Sequence, residues 1–336
     1  MNACKQWNGK ERMGNLDVLR CMAALAVICI HVITSPVENY DGVLSSGLLW
    51  NIQCIHSLMK WSVPVFFIMT GYFCGKHETY TYNFALKKIL KFVCTLFTVG
   101  FSYALLECVF TTRHLGLNEI GLAVLNVFNG KLWNHMWFVY DIIGIYLVLP
   151  VLFSFFSRSH EQYLFVAFLF VFTILLPWVG KNTIVNVNIN FPMGGYLFYV
   201  CFGMLLSICP INRINKYTKS IISCALILIG IIPPLLGYEQ TGYNDPFVCF
   251  LATGLFTLFL ELRISSTKGI AVLAGCTWGV YLIHPLYINM AVKLLHMDFL
   301  SGMAFVRLFF FYLAIVFVSF FSVYLLKRIR FVKWLF

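Results

Sequence analysis

Residues 16–35 read LDVLRCMAALAVICIHVITS and form the first long apolar run of the chain. A run of about 20 predominantly apolar residues can cross the hydrocarbon core of a bilayer as an α-helix. Arg20 and His31 lie within it, and an ionisable side chain inside a membrane span is costly and points to function. Because their separation makes about three helical turns, the two side chains share one helix face, roughly 16 Å apart along the axis. A single groove can reach both.

The rest of the chain repeats this apolar character. Of its 336 residues, 60% are hydrophobic and 11% are charged, which is typical of a polytopic helical membrane protein with one membrane domain. The sequence therefore predicts an all-α bundle of about ten transmembrane helices. These helices are expected at residues 16–35, 47–73, 87–110, 136–156, 162–180, 193–210, 219–237, 246–263, 270–291 and 303–327. Residues 111–135 form the longest predicted loop, and the Trp, His and Tyr side chains at its end are typical of an interfacial belt.

Lys and Arg are distributed unevenly over the predicted loops. If the N-terminus is cytoplasmic, the opposite side holds only Arg113, Lys131, Lys181 and Lys293. Three more fall within spans: Arg20, Lys60 and Arg307. The remaining 17 of the 24, among them Lys5, Lys10 and Arg213, fall in cytoplasmic segments. This bias follows the positive-inside rule, predicts that both termini are cytoplasmic, and explains the net charge of +11 without nucleic-acid binding.

Three segments make up the predicted domain organisation. Residues 1–15 form a cytoplasmic N-terminal segment, residues 16–327 the transmembrane domain, and residues 328–336 a basic cytoplasmic tail. Asn15 is placed to cap the first helix. The twelve cysteines are scattered without a C-x-x-C pair, so we interpret them as small buried hydrophobes and expect neither a disulfide framework nor a metal centre.

Arg20 and His31 each have a structural and a functional interpretation. Arg20 can extend to the interface and pair with Asp17, three residues earlier. It can equally act as a fixed cation for a phosphate-rich ligand, because a guanidinium is always charged and planar. His31 is either hydrogen-bonded to another helix or a general base, since imidazole titrates near physiological pH.

Further polar groups interrupt other spans. Lys60 precedes the run WSVPVFFIMTGYF and is either interfacial or a second cation for the same anion site. His284 precedes Pro285 within its span, where a kink exposes backbone and orients the ring. Asp141 and Glu107 are acids that can orient a histidine or balance an arginine. The sequence does not pair them.

Four segments in order resemble the acyltransferase family 3 membrane proteins. They are LDVLRCMAALAVICIH at 16–31, Lys60 with VPVFFIMTGYF, MWFVYDIIGIYLVLP at 136–150, and GVYLIHP at 279–285. Within the family, the chain looks most similar to single-domain O-acetyltransferases that modify surface glycans of the enterobacterial common antigen type. It departs from the family pattern at Cys21, at Thr70 and at Lys60, where glycine, serine and arginine respectively are commoner.

The resemblance implies acyl transfer from a cytosolic acyl-CoA, expected to be acetyl-CoA, to a hydroxyl of a surface glycan or its lipid-linked precursor. Arg20, helped by Lys60, would bind the donor phosphates or polarise the thioester, and His31 would deprotonate the acceptor or carry the acyl group transiently. Asp17, Asp141 and His284 are possible supporting residues. The implied location is the bilayer of the bacterial inner membrane, and the oligomeric state is left open.

Two other functions fit the same membrane module. Relatives fused to racemase domains resemble substrate-uptake units, which makes a small-molecule transporter one alternative. The other is a glycan exporter without chemistry, which would predict a long polar groove with aromatic stacking positions. Loss of acyl incorporation with intact export on changing His31 distinguishes the enzyme from both.

Overall fold

The computed structural model describes residues 12–40, 42–158, 160–183, 195–208, 215–240 and 242–336. Within these ranges the chain is helical and contains no strand. Its helices are α1 (Gly14–Glu38), α2 (Ser46–Gly75), α3 (Tyr82–Thr112), α4 (Leu117–Phe128), α5 (Asn134–Arg158), α6 (Gln162–Asn182), α7 (Leu197–Ile208), α8 (Lys216–Leu235), α9 (Pro246–Glu261), α10 (Lys268–Leu294) and α11 (Ala304–Leu326). Eight of them are long and apolar enough to cross a membrane, and α4, α7 and α9 are shorter apolar helices. The predicted all-α polytopic bundle is confirmed.

The predicted count of ten spans is not confirmed. Each predicted span coincides with a helix, but those at 193–210 and 246–263 correspond to α7 and α9, which have 12 and 16 residues. Helices of this length are short of the roughly 20 residues that a perpendicular crossing requires. The ends of the first of these two spans, 193–194 and 209–210, lie outside the described residues.

The predicted loop at 111–135 contains α4, so that prediction was wrong in part. This helix has only 12 residues, too few to register in a window of transmembrane length. Its first turn is held by Glu119, whose carboxylate accepts a hydrogen bond from the Gly116 backbone N–H at 3.0 Å. A side chain that satisfies a free N–H in this way stabilises the start of a helix.

The start of α1 also differs from the prediction. The helix begins at Gly14, and Asn15 lies inside it, where its amide donates to the Phe259 carbonyl at 2.7 Å instead of capping. The predicted N-terminal segment up to residue 11, with Lys5 and Lys10, lies outside the described residues, as does Arg213. Arg307 lies in the first turn of α11 and donates to the Asp298 carbonyl at 3.1 Å, close to a loop and away from the centre of a span.

The bundle has two ends, which we name by their charge. The basic end holds the start of α1 and the segments 76–81, 262–267 and 327–336. Asn15 and Phe259 join α1 to α9 there, and Lys219 of α8 pairs with Glu261 of α9 at 2.6 Å. The opposite end holds the segments 42–45, 129–133, 236–240, 242–245 and 295–303.

The second half of α2 packs directly on α7. A Cβ atom built on Gly71 would lie 1.8 Å from the Val200 carbonyl oxygen, and one built on Gly203 would lie 2.0 Å from the Ile68 carbonyl oxygen. Only hydrogen atoms fit at these two positions. Small residues that let helix backbones approach closely are the usual basis of helix association in membranes.

Gly71→Val is expected to destabilise the protein, because the added side chain must push α7 away from α2. Overpacking of this kind costs about 1–3 kcal/mol, and more where the contact is with backbone. The measurement is thermal unfolding of the purified protein in detergent. Gly121→Ala is the matched control: its Cβ meets nothing within 4 Å, so its melting temperature stays at or above that of the wild type. Equal melting of Gly71→Val and wild type would contradict the close approach.

Candidate active site

A cavity of about 900 Å³ enters the bundle among α1, α2, α3, α5 and α10. This volume is at the upper end of the range for small-molecule sites, which are mostly apolar with a few placed polar groups. The polar groups here fall into two sets at different depths. Arg20 and a group of lysines lie toward the basic end, and three histidines lie nearer the opposite end.

The histidine cluster consists of His31, His135 and His284, one each from α1, α5 and α10. The ring centroids of His31 and His284 are 5.2 Å apart, those of His135 and His284 are 5.9 Å apart, and those of His31 and His135 are 6.3 Å apart. His135 and His284 are buried, whereas His31 is partly exposed to the cavity. Three imidazoles from separate helices therefore converge on one space.

The hydrogen bonds of His284 define which of its nitrogens is free. Its Nδ1 lies 2.9 Å from the Val280 carbonyl oxygen, and because a carbonyl only accepts, Nδ1 is the donor. The Nε2 atoms of His284 and His135 are buried without a hydrogen-bond partner among the described residues. Buried polar atoms are rarely left unpaired, so these two nitrogens are available to a ligand in the cavity.

Arg20 lines the same cavity as the histidine cluster. Its Nη1 lies 4.0 Å from Oδ1 of Asp17, and Arg12 approaches the other oxygen of that carboxylate at 3.9 Å. The guanidinium carbon lies 5.7 Å from the centre of the Phe73 ring, a cation–π distance. The structure thus combines both interpretations of Arg20: it pairs with Asp17, and it faces the cavity.

Four lysines stand along the cavity toward the basic end: Lys88, Lys91, Lys327 and Lys333. We call them the lysine cluster. Lys327 donates to the Gly275 carbonyl at 2.6 Å, and no carboxylate in the described ranges forms an ion pair with any of the four. His77 lies beside them, and partial burial together with the nearby Lys88 ammonium lowers its pKa, so it is neutral at pH 7. A concentration of uncompensated positive charge attracts anions.

Three of the predicted site residues do not line the cavity: Lys60, Asp141 and Asp17, the last of which pairs with Arg20. Lys60 is buried and donates to the Gln240 carbonyl at 2.6 Å, at the opposite end from the lysine cluster. Asp141 lies in α5 but does not line the cavity. Glu107 binds Lys293 at 3.3 Å. The structure therefore does not bring Lys60 to Arg20, or Asp141 to a histidine.

His135 and the lysine cluster were missed by sequence reasoning. His135 was grouped with the aromatic residues of an interfacial belt, yet its side chain is 3% exposed. The lysines come from α3 and from the segment after α11, so only the fold brings them together. The sequence offered two signals: the positive-inside count assigns all four lysines to the cytoplasmic side, and the spacing of Lys88 and Lys91 puts both on one face of a helix.

The described residues contain no group of three His, Cys, Asp or Glu that could hold a metal ion. The ten described cysteines are free thiols. Imidazole, guanidinium and ammonium groups all line the cavity.

The family comparison fits this membrane site. The family model described as an acyltransferase domain, of the acyltransferase 3 type, matches residues 13–327. The chain belongs to this family and is a membrane acyltransferase. Neither a curated protein nor a solved structure matches it.

Proposed function

We propose that the protein transfers an acetyl group from acetyl-CoA to a sugar hydroxyl of a surface glycan or its lipid-linked precursor. The observation that carries the proposal is the continuity of one cavity from the lysine cluster, past Arg20, to the histidine cluster. A donor with a polyanionic head and a thioester at the end of a long arm fits this order of groups.

The lysine cluster and Arg20 are suited to the phosphates of coenzyme A. Lys binds phosphate as a point charge, and Arg adds a planar fork of donors. Arg20 and His31 are roughly 16 Å apart along α1, so a thioester carried on an extended arm can reach the histidines while its phosphates stay near the basic end. The excess of Lys and Arg at the basic end supports placing that end at the cytoplasmic face of the inner membrane. The proposed donor is made in the cytoplasm, on the same side.

His31 is the residue best placed to act as general base. It is the member of the histidine cluster with side-chain surface open to the cavity. The imidazole takes the proton of the acceptor hydroxyl as the oxygen attacks the thioester carbonyl. The carbon–sulfur bond then breaks, and the proton passes from the imidazolium to the departing thiolate. The products are the sugar acetate and free coenzyme A.

His284 and His135 support this role by position. The Val280 carbonyl holds the ring of His284, and its Nε2 remains free as an acceptor beside His31. Two further imidazoles close to the base give the developing positive charge polar neighbours.

The direct test is acetyl transfer by the purified protein in proteoliposomes, with radiolabelled acetyl-CoA and membrane glycolipid extract as acceptor. We expect label in the lipid-linked sugar fraction, and a KM for acetyl-CoA that rises with added KCl because salt screens the lysine cluster. Lys88→Ala should raise that KM about three- to tenfold.

Lys87→Ala is the matched control for Lys88→Ala. It removes the same charge from the neighbouring position of α3, which does not line the cavity, so the KM for acetyl-CoA stays close to that of the wild type. Protein that neither binds nor consumes acetyl-CoA, while supporting uptake or export of a sugar, would refute the proposed function and favour a transporter.

A further inference from the structure

Two aromatic residues form a wall of the cavity next to the histidine cluster. Trp137 follows His135 by two residues in α5, and Tyr243 belongs to the segment between α8 and α9 at the opposite end. Their ring centroids are 5.4 Å apart. Behind them Tyr196 stacks on Trp137 at 5.3 Å and on Phe67 at 4.9 Å. We call Trp137 and Tyr243 the aromatic wall.

Two hydrogen bonds hold the backbone at Tyr243 and at the nearby Gln240. The Tyr243 carbonyl accepts a hydrogen bond from the Tyr199 hydroxyl at 2.6 Å. The Gln240 carbonyl accepts one from the buried Lys60 ammonium, also at 2.6 Å. Lys60, which does not touch the cavity, thus binds the chain three residues before Tyr243. Binding surfaces that are ordered before the ligand arrives lose little conformational entropy on binding.

The aromatic wall also offers hydrogen-bond donors. Burial raises the pKa of Tyr243 to about 12, so its hydroxyl is protonated at neutral pH and can donate. The indole N–H of Trp137 is a donor only. The wall therefore combines flat apolar faces with polar edges, which is the pattern of sites that bind amphipathic rings.

We propose that the aromatic wall is the acceptor subsite and that it binds a pyranose ring by stacking. The inference rests on the proposed function, because it names the position of the acceptor in that reaction. The C–H groups on the apolar face of a pyranose carry partial positive charge and meet the negative face of an aromatic ring, while the hydroxyls at its rim match the polar edges. An acetyl group is too small to need two aromatic faces, and the phosphates of the donor belong at the lysine cluster.

This placement brings a sugar hydroxyl to the base. A ring stacked on Trp137 shares the cavity with His31. Tyr281 connects the two groups, because its ring lies 5.6 Å from that of Phe138, the neighbour of Trp137, and 5.4 Å from that of His135. The donor thioester reaches the same point from the basic end. The two substrates then approach the histidine cluster from opposite sides and need not exchange places during the reaction.

The test measures sugar binding without any chemistry. Tritiated methyl pyranosides of the gluco, galacto, manno and 2-acetamido-gluco series are equilibrated with the purified protein in detergent, and sorbitol serves as an acyclic comparison. We expect the wild type to bind at least one pyranoside more tightly than sorbitol. Trp137→Ala should weaken that binding about tenfold or more, and Trp137→Phe, which keeps an aromatic face, should retain most of it.

The KM for acetyl-CoA provides the structural control. It should be unchanged in Trp137→Ala, because a misfolded protein would lose donor binding as well. Trp50→Ala changes a tryptophan of α2 that does not line the cavity and should bind like the wild type. Pyranoside binding that survives Trp137→Ala, or wild-type protein that prefers sorbitol or binds no pyranoside, would overturn the subsite. Pyranoside binding without acetyl transfer would instead refute the proposed function and leave a sugar-binding protein.

Discussion

Replacing His31 by alanine lowers kcat for acetyl transfer by about 10²–10⁴-fold, the range expected when a general base is removed. We expect the KM for acetyl-CoA to change little, because the proposed site for the donor phosphates lies near the other end of the cavity. The measurement is steady-state transfer of labelled acetyl groups by protein in proteoliposomes. Size-exclusion chromatography of the same preparation verifies that the variant is folded.

His160→Ala is the matched control for His31→Ala. His160 is exposed at the basic end and does not line the cavity, so its loss leaves kcat unchanged. A His31→Ala protein with a kcat within threefold of the wild type would contradict the role of His31. An acetyl group carried on the imidazole, the other chemical possibility, would appear as hydroxylamine-sensitive label on wild-type protein incubated without acceptor.

Arg20→Ala produces the second large effect. We expect kcat/KM for acetyl-CoA to fall on the order of 30-fold or more, because a partly buried cation is lost from the path of the donor and Asp17 is left with less positive charge nearby. Arg20→Lys should recover part of the loss, since it restores the charge without the planar fork. Isothermal titration with coenzyme A measures the donor contribution directly.

Arg158→Ala is the matched control for Arg20→Ala. It distinguishes a specific contact between Arg20 and the donor from attraction by the total positive charge of the basic end. Arg158 lies exposed at the last turn of α5 and does not line the cavity. Its removal subtracts the same charge and should leave coenzyme A binding near the wild-type value. If Arg158→Ala and Arg20→Ala weaken binding equally, the donor is responding to net charge and Arg20 has no specific contact.

The sequence predicted the parts of the fold that depend on apolar length and local spacing. Arg20 and His31 share a face of α1 because helical geometry alone determines their relation, and both line the cavity. The sequence predicts full spans at the shorter helices α7 and α9, because hydropathy in a window reports apolar character and not helix ends. Helix α4 was not predicted because its 12 apolar residues are too few to stand out in a window of transmembrane length.

The parts that could not be predicted depend on the rotation of one helix against another. A helix that is apolar all round has no preferred face, so the direction of Lys60 or Asp141 is undetermined until packing is known. Lys60 turned out to bind the Gln240 carbonyl, 180 residues away in sequence. The same reason applies to His135, which lies beside His31 and His284. It also applies to Lys333, which lines the same cavity as Lys88.

The backbone contact between α2 and α7 restricts how the protein can move through its reaction cycle. Sliding of either helix would drive the Val200 carbonyl into Gly71, so the two must travel as one rigid unit. Under the proposed function, admission of the nucleotide donor then falls to elements that meet the cavity through long side chains, namely the start of α3 and the segment that bears Lys333. Hinge motions confined to such elements open a path without disturbing the packed core.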